Sequence, residues 1–356
     1  MTHSIQAEPT TTTPRGTAVF GWDIGGANTK VARVEPADGA KRPRVLSAPL
    51  VMERDSASLA PTLRRLGEAL GRRPAAHAVT MTAELSQAFR TKREGVGFVL
   101  DAMAEAFPGE VVRVYGLSGA FLETAAARGL PFEVAAANWH AAARLVGRWV
   151  PDCVLLDIGT TTTDLIPIVG GEPAVLGRTD PERLVSGELV YTGALRTPVE
   201  SVASAVPLRG QPCPLAPEAF ALIGDAHLWL GTLDPCSYTV SPPDGRPATR
   251  EFAGERLARA VCADAEMLDQ QELEAIARAL AEAQVERVAA SLRRVRTRHP
   301  ALGVAVVSGL GDFIAAEAAR RAGLAVMPLS ERIGDAARVA PAAAVAWLLA
   351  DALAPA

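Results

Sequence analysis

The sequence predicts an α/β protein made of two similar halves that close on one another as a clamshell. Three observations predict it. β-rich runs alternate with helical patterns along most of the chain, as they do where a mixed sheet carries helices on its faces. An apolar run ending in Asp and a glycine or threonine turn occurs twice, as FGWDIGGANTK at 20–30 and as VLLDIGTTTTDL at 154–165. The 356 residues also suffice, at roughly 150 per domain, for two separate cores.

The elements follow in order. MTHSIQAEPTTTTPR lacks the apolar centre of a signal peptide, and its Thr and Pro content predicts a disordered lead-in over 1–15. Residues 17–22 and 29–35 are β-rich and flank DIGGAN, which reads as a hairpin with the glycine turn at its tip; a run at 44–52 completes a meander. From Ser58 the spacing becomes helical, with Leu59, Leu63, Leu66 and Leu70 on one side and GRRP as the stop. A strand at 76–81, a helix near 95–106 and a strand at 110–115 come next. FEVAAA at 132–137 reads as a strand, and an amphipathic helix starting on Asn138, a suitable N-cap, runs to Pro151.

CVLLDIG opens the second copy, whose LIPIV run ends in GGEP. Residues 196–248, rich in Pro, Gly and short polar stretches, predict long loops or an inserted segment. Helices resume at 251–264 and at 270–297, where Leu273, Ile276, Leu280, Val285, Val288 and Leu292 recur at helical steps. A buried strand in GVAVVSGLGDF and a final helix from about 335 end the chain. The domains expected are therefore 16–150 plus 335–356, and 151–334.

With 49% hydrophobic and 21% charged residues the composition suits a soluble globular protein. A net charge of −4 lacks the basic excess that tracking nucleic-acid phosphates requires, so a small-molecule partner is expected. Cys153, Cys213, Cys236 and Cys262 are scattered without a C-x-x-C pair, which argues against zinc and disulfides and for reduced thiols in the cytoplasm. VAPAAAVAWLLADALAPA is broken by prolines and Asp351 and suits a packed helix better than a membrane span.

The repeated turns carry the chemistry. A glycine turn at a strand end lets backbone N–H groups approach an anion with no side chain in the way. Gly25, Gly26, Ala27 and Asn28 in one turn and Gly159, Thr160, Thr161 and Thr162 in the other would hold a di- or triphosphate from two sides, with Lys30 nearby. Asp23, Asp157 and Asp164 would give oxygen ligands, directly or through water, to Mg²⁺. One D-I-G-G is equally an ordinary tight hairpin. Two copies in equivalent strand contexts, with a third turn at Gly309 and Gly311 in SGLGD, point to phosphate.

DIGGANTK, DIGTTTTD and VSGLGD resemble the two phosphate motifs and the adenosine motif of the actin, sugar-kinase and heat-shock ATPase superfamily. The resemblance implies an actin-like ATPase fold, two ribonuclease-H-like domains around a central phosphate-binding cleft. Within it the chain is similar to the hydantoinase/oxoprolinase-related proteins of tetrahydromethanopterin-linked one-carbon metabolism, and among them to the condensing enzymes of methanofuran biosynthesis. The stretches that carry this are VTMTAELSQAFRTKREGV (79–96), AAANWHA (135–141), SGELVYTGALRTPV (186–199) and DGRPATRE (244–251).

That resemblance implies a transferase. It would join an aminomethylfuran bearing a methylene diphosphate to the phenol of a tyramine- or tyrosine-type acceptor, form an aryl ether and release diphosphate, with Mg²⁺ and without ATP. A phenol, with its ordinary pKa near 10, needs help to lose its proton. Asp164, Glu84, His140 and Glu188 are the available bases. The plainer roles are metal ligation for Asp164, packing for His140 and solvated turns for Glu84 and Glu188. Lys92 and Arg93, beside Arg90, would meet the diphosphate or an acceptor carboxylate if they are not a solvated helix end. Lysine occurs only at 30, 41 and 92. Arg196, Arg246 and Arg250 are further loop candidates. The rival is an ATP-dependent small-molecule kinase or hydrolase of the same superfamily, since such loops do not distinguish one diphosphate from another. The oligomeric state is left open.

Overall fold

Two hairpins of the same construction organise the structure, a computed structural model that describes residues 18–35, 42–71 and 73–354. The expected lead-in at 1–15 and Lys41 lie outside these residues. Val19–Ile24 (β1) runs antiparallel to Asn28–Val34 (β2), with Ile24 opposite Thr29 across the glycine turn. Arg44–Pro49 (β3) extends the meander beyond β2. On its other side β1 lies parallel to Ala76–Met81 (β4), followed by Val112–Tyr115 (β5) and the short Phe121–Glu123 (β6), so the first sheet has the order β3-β2-β1-β4-β5-β6.

The second half repeats the plan. Cys153–Ile158 (β7) pairs antiparallel with Thr163–Val169 (β8), setting Asp157 opposite Asp164. Glu172–Pro173 (β9) and Leu189–Val190 (β10) both pair with β8. Ala205–Leu208 (β11) and Gln211–Pro214 (β12) form a separate hairpin. Val304–Gly309 (β13) is parallel to β7 and Ala325–Pro328 (β14) parallel to β13, giving β10-β8-β7-β13-β14. β1, β4 and β7 are buried at every position, as strands covered on both faces must be.

One core joins the halves. The helices Asn138–Gly147 and Ala340–Leu353 pack between the sheets, so Val19, Ala32 and Ala78 of the first and Leu155, Ile166 and Val306 of the second share a cluster with Trp139, Val146, Val345 and Leu349. Their approach is close enough to require glycine at one point: a Cβ on Gly21 would lie 2.0 Å from the Ala342 carbonyl. Of the helical stretches among the described residues, Ser330–Leu353 is long and apolar enough to cross a membrane, but its most apolar window is 67% buried in this core. Leu59–Leu70 and Lys92–Ala106 cover the outer face of the first sheet with Leu63, Val99 and Met103. Gln270–Arg298 and Asp312–Arg321 cover the second with Val288, Leu292 and Ile314. Each such buried side chain contributes roughly 1.5–3 kcal/mol of transfer free energy.

Several expectations fail locally. FEVAAA is not a strand. Pro131 starts a single helical turn, Pro131–Val134, and only Ala135 pairs, in an isolated bridge to Met81, before Ala136 takes a left-handed φ of 50°. Asn138 is the first helical residue and not the cap, which is Ala137 without a side-chain bond. The stretch at 196–248 is looped but contains the β11/β12 hairpin and the helix Ile223–Trp229. Asp312–Arg321 and β14 had no signal beyond a few alanines and arginines. The last helix begins at Ala340, after a 3₁₀ turn over Gly334–Val339.

Candidate functional site

The two glycine turns close in the same way and meet at one cleft. Gly25 N–H donates to the Asn28 carbonyl at 3.0 Å, and Gly159 N–H donates to the Thr162 carbonyl at 3.0 Å. Asn28 Nδ2 then donates to Thr160 Oγ1 at 3.3 Å, joining the loops across the halves. Each loop is braced from behind. Thr82 N–H binds the Ile24 carbonyl at 2.9 Å beside the first, while Ala194 N–H binds Gly159 O at 2.9 Å and Arg196 N–H binds Thr160 O at 3.1 Å beneath the second. That second brace requires Gly193, whose Cβ would stand 2.5 Å from the Thr161 nitrogen. The open side of the turns faces a cleft of about 390 Å³ lined by Gly25–Asn28, Gly159–Thr162, Lys30, Lys92 and Arg196 among others.

Three carboxylates lie at its floor. Asp23 Oδ2 is 3.4 Å from Lys30 Nζ, and its Oδ1 is buried with no partner. Asp157 Oδ1 accepts from Ser308 Oγ at 3.0 Å. Burial first, then the charge of Asp164, push the Asp157 carboxyl up to about 6; Lys30 and the Ser308 hydroxyl oppose the rise, and Asp23 adds the least to it. Asp164 Oδ1 lies 2.7 Å from the buried Arg183 guanidinium, yet burial outweighs that cation and its pKa is raised. Crowded acids and an orphaned oxygen form a donor set suited to a hydrated divalent ion shared with phosphate oxygens. Among the described residues no three acidic, His or Cys side chains cage a metal unaided.

Glu84 stands apart from these. It follows β4 in the 3₁₀ turn Ala83–Leu85, is 2% exposed, and neither carboxyl oxygen has a hydrogen-bonding partner. Burial pushes its pKa up to about 8; Lys92, with Nζ 4.0 Å away, opposes the rise and Asp180 adds to it. The nearby amides of Glu84 and Ala136 soften the shift without making a bond, Ala136 N–H being committed to Met81 O. Lys92 in turn reaches across the cleft to Asp180 Oδ2 at 2.8 Å.

A profile of the hydantoinase/oxoprolinase family matches residues 75–352. The chain belongs to this family. It is 34% identical to the Methanocaldococcus jannaschii (4-{4-[2-(γ-L-glutamylamino)ethyl]phenoxymethyl}furan-2-yl)methanamine synthase, over 93% of this chain and 97% of that protein. A Methanococcus vannielii protein of the same description is 30% identical over 57% of this chain and 92% of its own length. Among solved structures, nucleotide-free acetone carboxylase superposes with a TM-score of 0.59 at 12% identity, covering 93% of this chain and 70% of that one. The fold is the expected actin-like one, two ribonuclease-H-like domains around a cleft.

In this hydantoinase/oxoprolinase family member the cleft gathers Asp23, Gly25, Gly26, Ala27, Asn28, Lys30, Glu84, Lys92, Asp157, Gly159, Thr160, Thr161, Thr162, Asp164 and Arg196. Other candidates lie elsewhere. His140 is not at the cleft: its Nδ1 is 2.9 Å from the Tyr115 hydroxyl, and burial, aided by Arg144 and Arg178, lowers its pKa to about 4, so it is a neutral packing group. Gly309 and Gly311 do not line the cleft either; a Cβ on Gly309 would strike the Ile158 carbonyl at 2.3 Å and Asp157 Oδ1 at 2.5 Å, and one on Gly311 would strike Ile158 Cγ2 at 2.5 Å, so they let the end of β13 and the start of the helix Asp312–Arg321 pack against the tip of β7. Arg93 is exposed outside the cleft, and Arg246 pairs with Glu255 over the Phe252 ring. Arg250 donates to the Trp229 carbonyl at 2.9 Å. Glu188 is not solvated: fully buried, it accepts from Leu176 N–H, Gly177 N–H, Ser186 Oγ and Arg298.

Sequence reasoning missed Arg183. It sits on the helix Asp180–Ser186, whose capping box uses Thr179 and Glu182, and its guanidinium lies 4.3 Å over the Trp139 ring while holding Asp164. The T-x-x-E spacing at 179–182 was a visible helix-start signal. That the following Arg turns inward was not visible.

Proposed function

We propose that this protein condenses an aminomethylfuran diphosphate ester with a phenol of tyramine or tyrosine type, forming an aryl ether and diphosphate. The match to the M. jannaschii synthase along 97% of that protein carries this reading. The cleft's chemistry supports it.

The phenol oxygen bonds to the furfuryl methylene as the bond from that carbon to diphosphate breaks, and the electron pair leaves with diphosphate. The electron-rich furan stabilises the positive charge developing on the methylene. The chain's share is to neutralise the leaving group, hold the acceptor in line and accept one proton. The N–H groups of Gly26 and Ala27 and of Thr160–Thr162, with Arg196 and Lys30, hold the diphosphate, the Gly25 and Gly159 amides being used to close their turns. Mg²⁺ held by Asp23 and Asp157 would add charge neutralisation at the same oxygens; Asp164, tied to Arg183, positions that floor. The phenol proton goes to ionised Glu84, whose pKa of about 8 leaves roughly a tenth of it ionised at neutral pH while making it a strong acceptor. The four cysteines are free, and we place the activity in the cytoplasm.

A nucleotide-consuming reading would draw on the third glycine turn, where a Cβ on Gly309 would stand 2.5 Å from Asp157 Oδ1 of the cleft floor. The deciding experiment incubates purified protein, Mg²⁺, aminomethylfuran diphosphate and tyramine or its glutamyl conjugate, with and without ATP. Equimolar ether and diphosphate without ATP is the expected result. An absolute need for ATP, or ATP turnover with no ether, overturns the proposal.

A further inference from the structure

Three large apolar side chains stand open to solvent at the cleft although the core does not use them. Leu85 is 54% exposed in the turn after β4, Leu184 is 44% exposed on the helix Asp180–Ser186, and Tyr191 is 53% exposed just beyond β10. Single exposed leucines are ordinary; three converging on one cleft are not. All three line it, Leu85 from the first half and Leu184 and Tyr191 from the second, so the opening has apolar borders on both sides.

Their neighbours make the placement specific. Tyr191 is anchored beside the second phosphate loop: the following Thr192 carbonyl accepts from Thr163 Oγ1 at 2.6 Å, and Ala194 N–H donates to the Gly159 carbonyl at 2.9 Å. A ring lying against Tyr191 is thus next to the loop that would hold a leaving diphosphate. Leu85 follows Glu84 directly and both line the cleft, so a ring lying against Leu85 is beside a buried carboxyl whose two oxygens accept no hydrogen bond. Lys92 and Asp180, 2.8 Å apart, tie together the turn-bearing side and the helix that carries Leu184. The cleft is therefore divided, with N–H groups and cations at the paired loops and apolar surface toward solvent.

We infer that Leu85, Leu184 and Tyr191 form the acceptor subsite, gripping an aryl ring between the two halves with its hydroxyl toward Glu84. This rests on the aryl-ether reading above and adds a selectivity to it. A planar ring fills the apolar borders and stacks on Tyr191, whereas an aliphatic amino alcohol of the same polarity leaves them wet.

The test uses full-length protein and two readouts, equilibrium dialysis of tyramine in the presence of Mg-diphosphate, and steady-state ether formation. Leu85→Ala and Tyr191→Ala each weaken tyramine binding and raise its KM about tenfold, while the KM of the furan diphosphate stays within about twofold. Tyr191→Phe, which keeps the ring, restores the wild-type acceptor KM. If instead the diphosphate ester's KM rises and the acceptor's does not, or neither moves, the subsite is wrong although ether is still made. If wild-type protein binds tyramine, loses it in the alanine variants, and makes no ether, the subsite stands and the proposed reaction falls.

Discussion

Replacing Glu84 by Gln keeps the shape and removes the ionisation. In the folded protein the Glu84 carboxyl holds its proton from the ordinary 4.5 up to about 8, because burial disfavours the anion more than Lys92 favours it. Folded protein therefore binds the proton more tightly than unfolded chain. The sign follows: stability is fully present below about pH 4.5 and is lost as pH rises toward about 8, where the loss levels off. At roughly 1.4 kcal/mol per pH unit the span from 4.5 to about 8 sets a ceiling near 5 kcal/mol. Relaxation and water entry reduce it, and about 2–4 kcal/mol is expected. Urea denaturation of wild type and Glu84→Gln at intervals from pH 5 to 9 reads this directly. The variant should match wild type within about 1 kcal/mol at pH 5 and exceed it progressively to pH 8.5, while ether formation falls by about 10²-fold or more. A stability difference that is flat with pH, or that favours wild type at high pH, refutes the burial argument. A variant with full activity refutes the role as base. Gain of stability with loss of activity is the pattern of a group kept strained for chemistry.

Further outcomes follow from the same geometry. Lys92→Met removes the cation 4.0 Å from Glu84, so the carboxyl's pKa rises further and the acid-side limb of kcat/KM against pH, along which Glu84 ionises, moves to higher pH; a limb that stays in place contradicts the contact. Gly193→Ala forces a Cβ into the Thr161 amide, and an overpacking cost of about 1–3 kcal/mol, felt in the loop, should raise the KM of the diphosphate ester about tenfold or more with the acceptor's KM little changed. Arg183→Met strands Asp164 in the cleft floor and should cost about 3–5 kcal/mol in urea unfolding at pH 7, with much of the loss recovered in Arg183→Met/Asp164→Asn; a loss under about 1 kcal/mol would show that the pair is not structural. Binding of Mg-diphosphate, followed by calorimetry, should weaken as pH falls through about 6, where Asp157 takes up its proton, and Asp157→Asn should abolish that dependence.

The sequence by itself determined the duplicated plan. An apolar run must end where the chain turns, and a glycine after Asp23 or Asp157 has few other uses at a strand tip, so both hairpins and their glycine turns were legible locally, while the register that sets Asp157 opposite Asp164 was not. The helices Leu59–Leu70 and Gln270–Arg298 were equally legible, because their apolar stripes repeat at the helical period over many residues. Short elements were not: β6, the turn Pro131–Val134 and β14 are four residues or fewer, too short for a period to show. Side-chain roles depended on the tertiary structure alone. Glu84 and Glu188 both sit in polar stretches that read as solvated turns, and both are buried. One is left with no partner in the cleft and the other is saturated by amides and Arg298. His140 and Lys92 likewise both lie in helix first turns, and only one faces the cleft. Periodicity reports which face of an element meets apolar surroundings. Which charges meet one another is decided by segments distant in the chain, such as Lys92 and Asp180, and their encounter exists only once the two halves have packed.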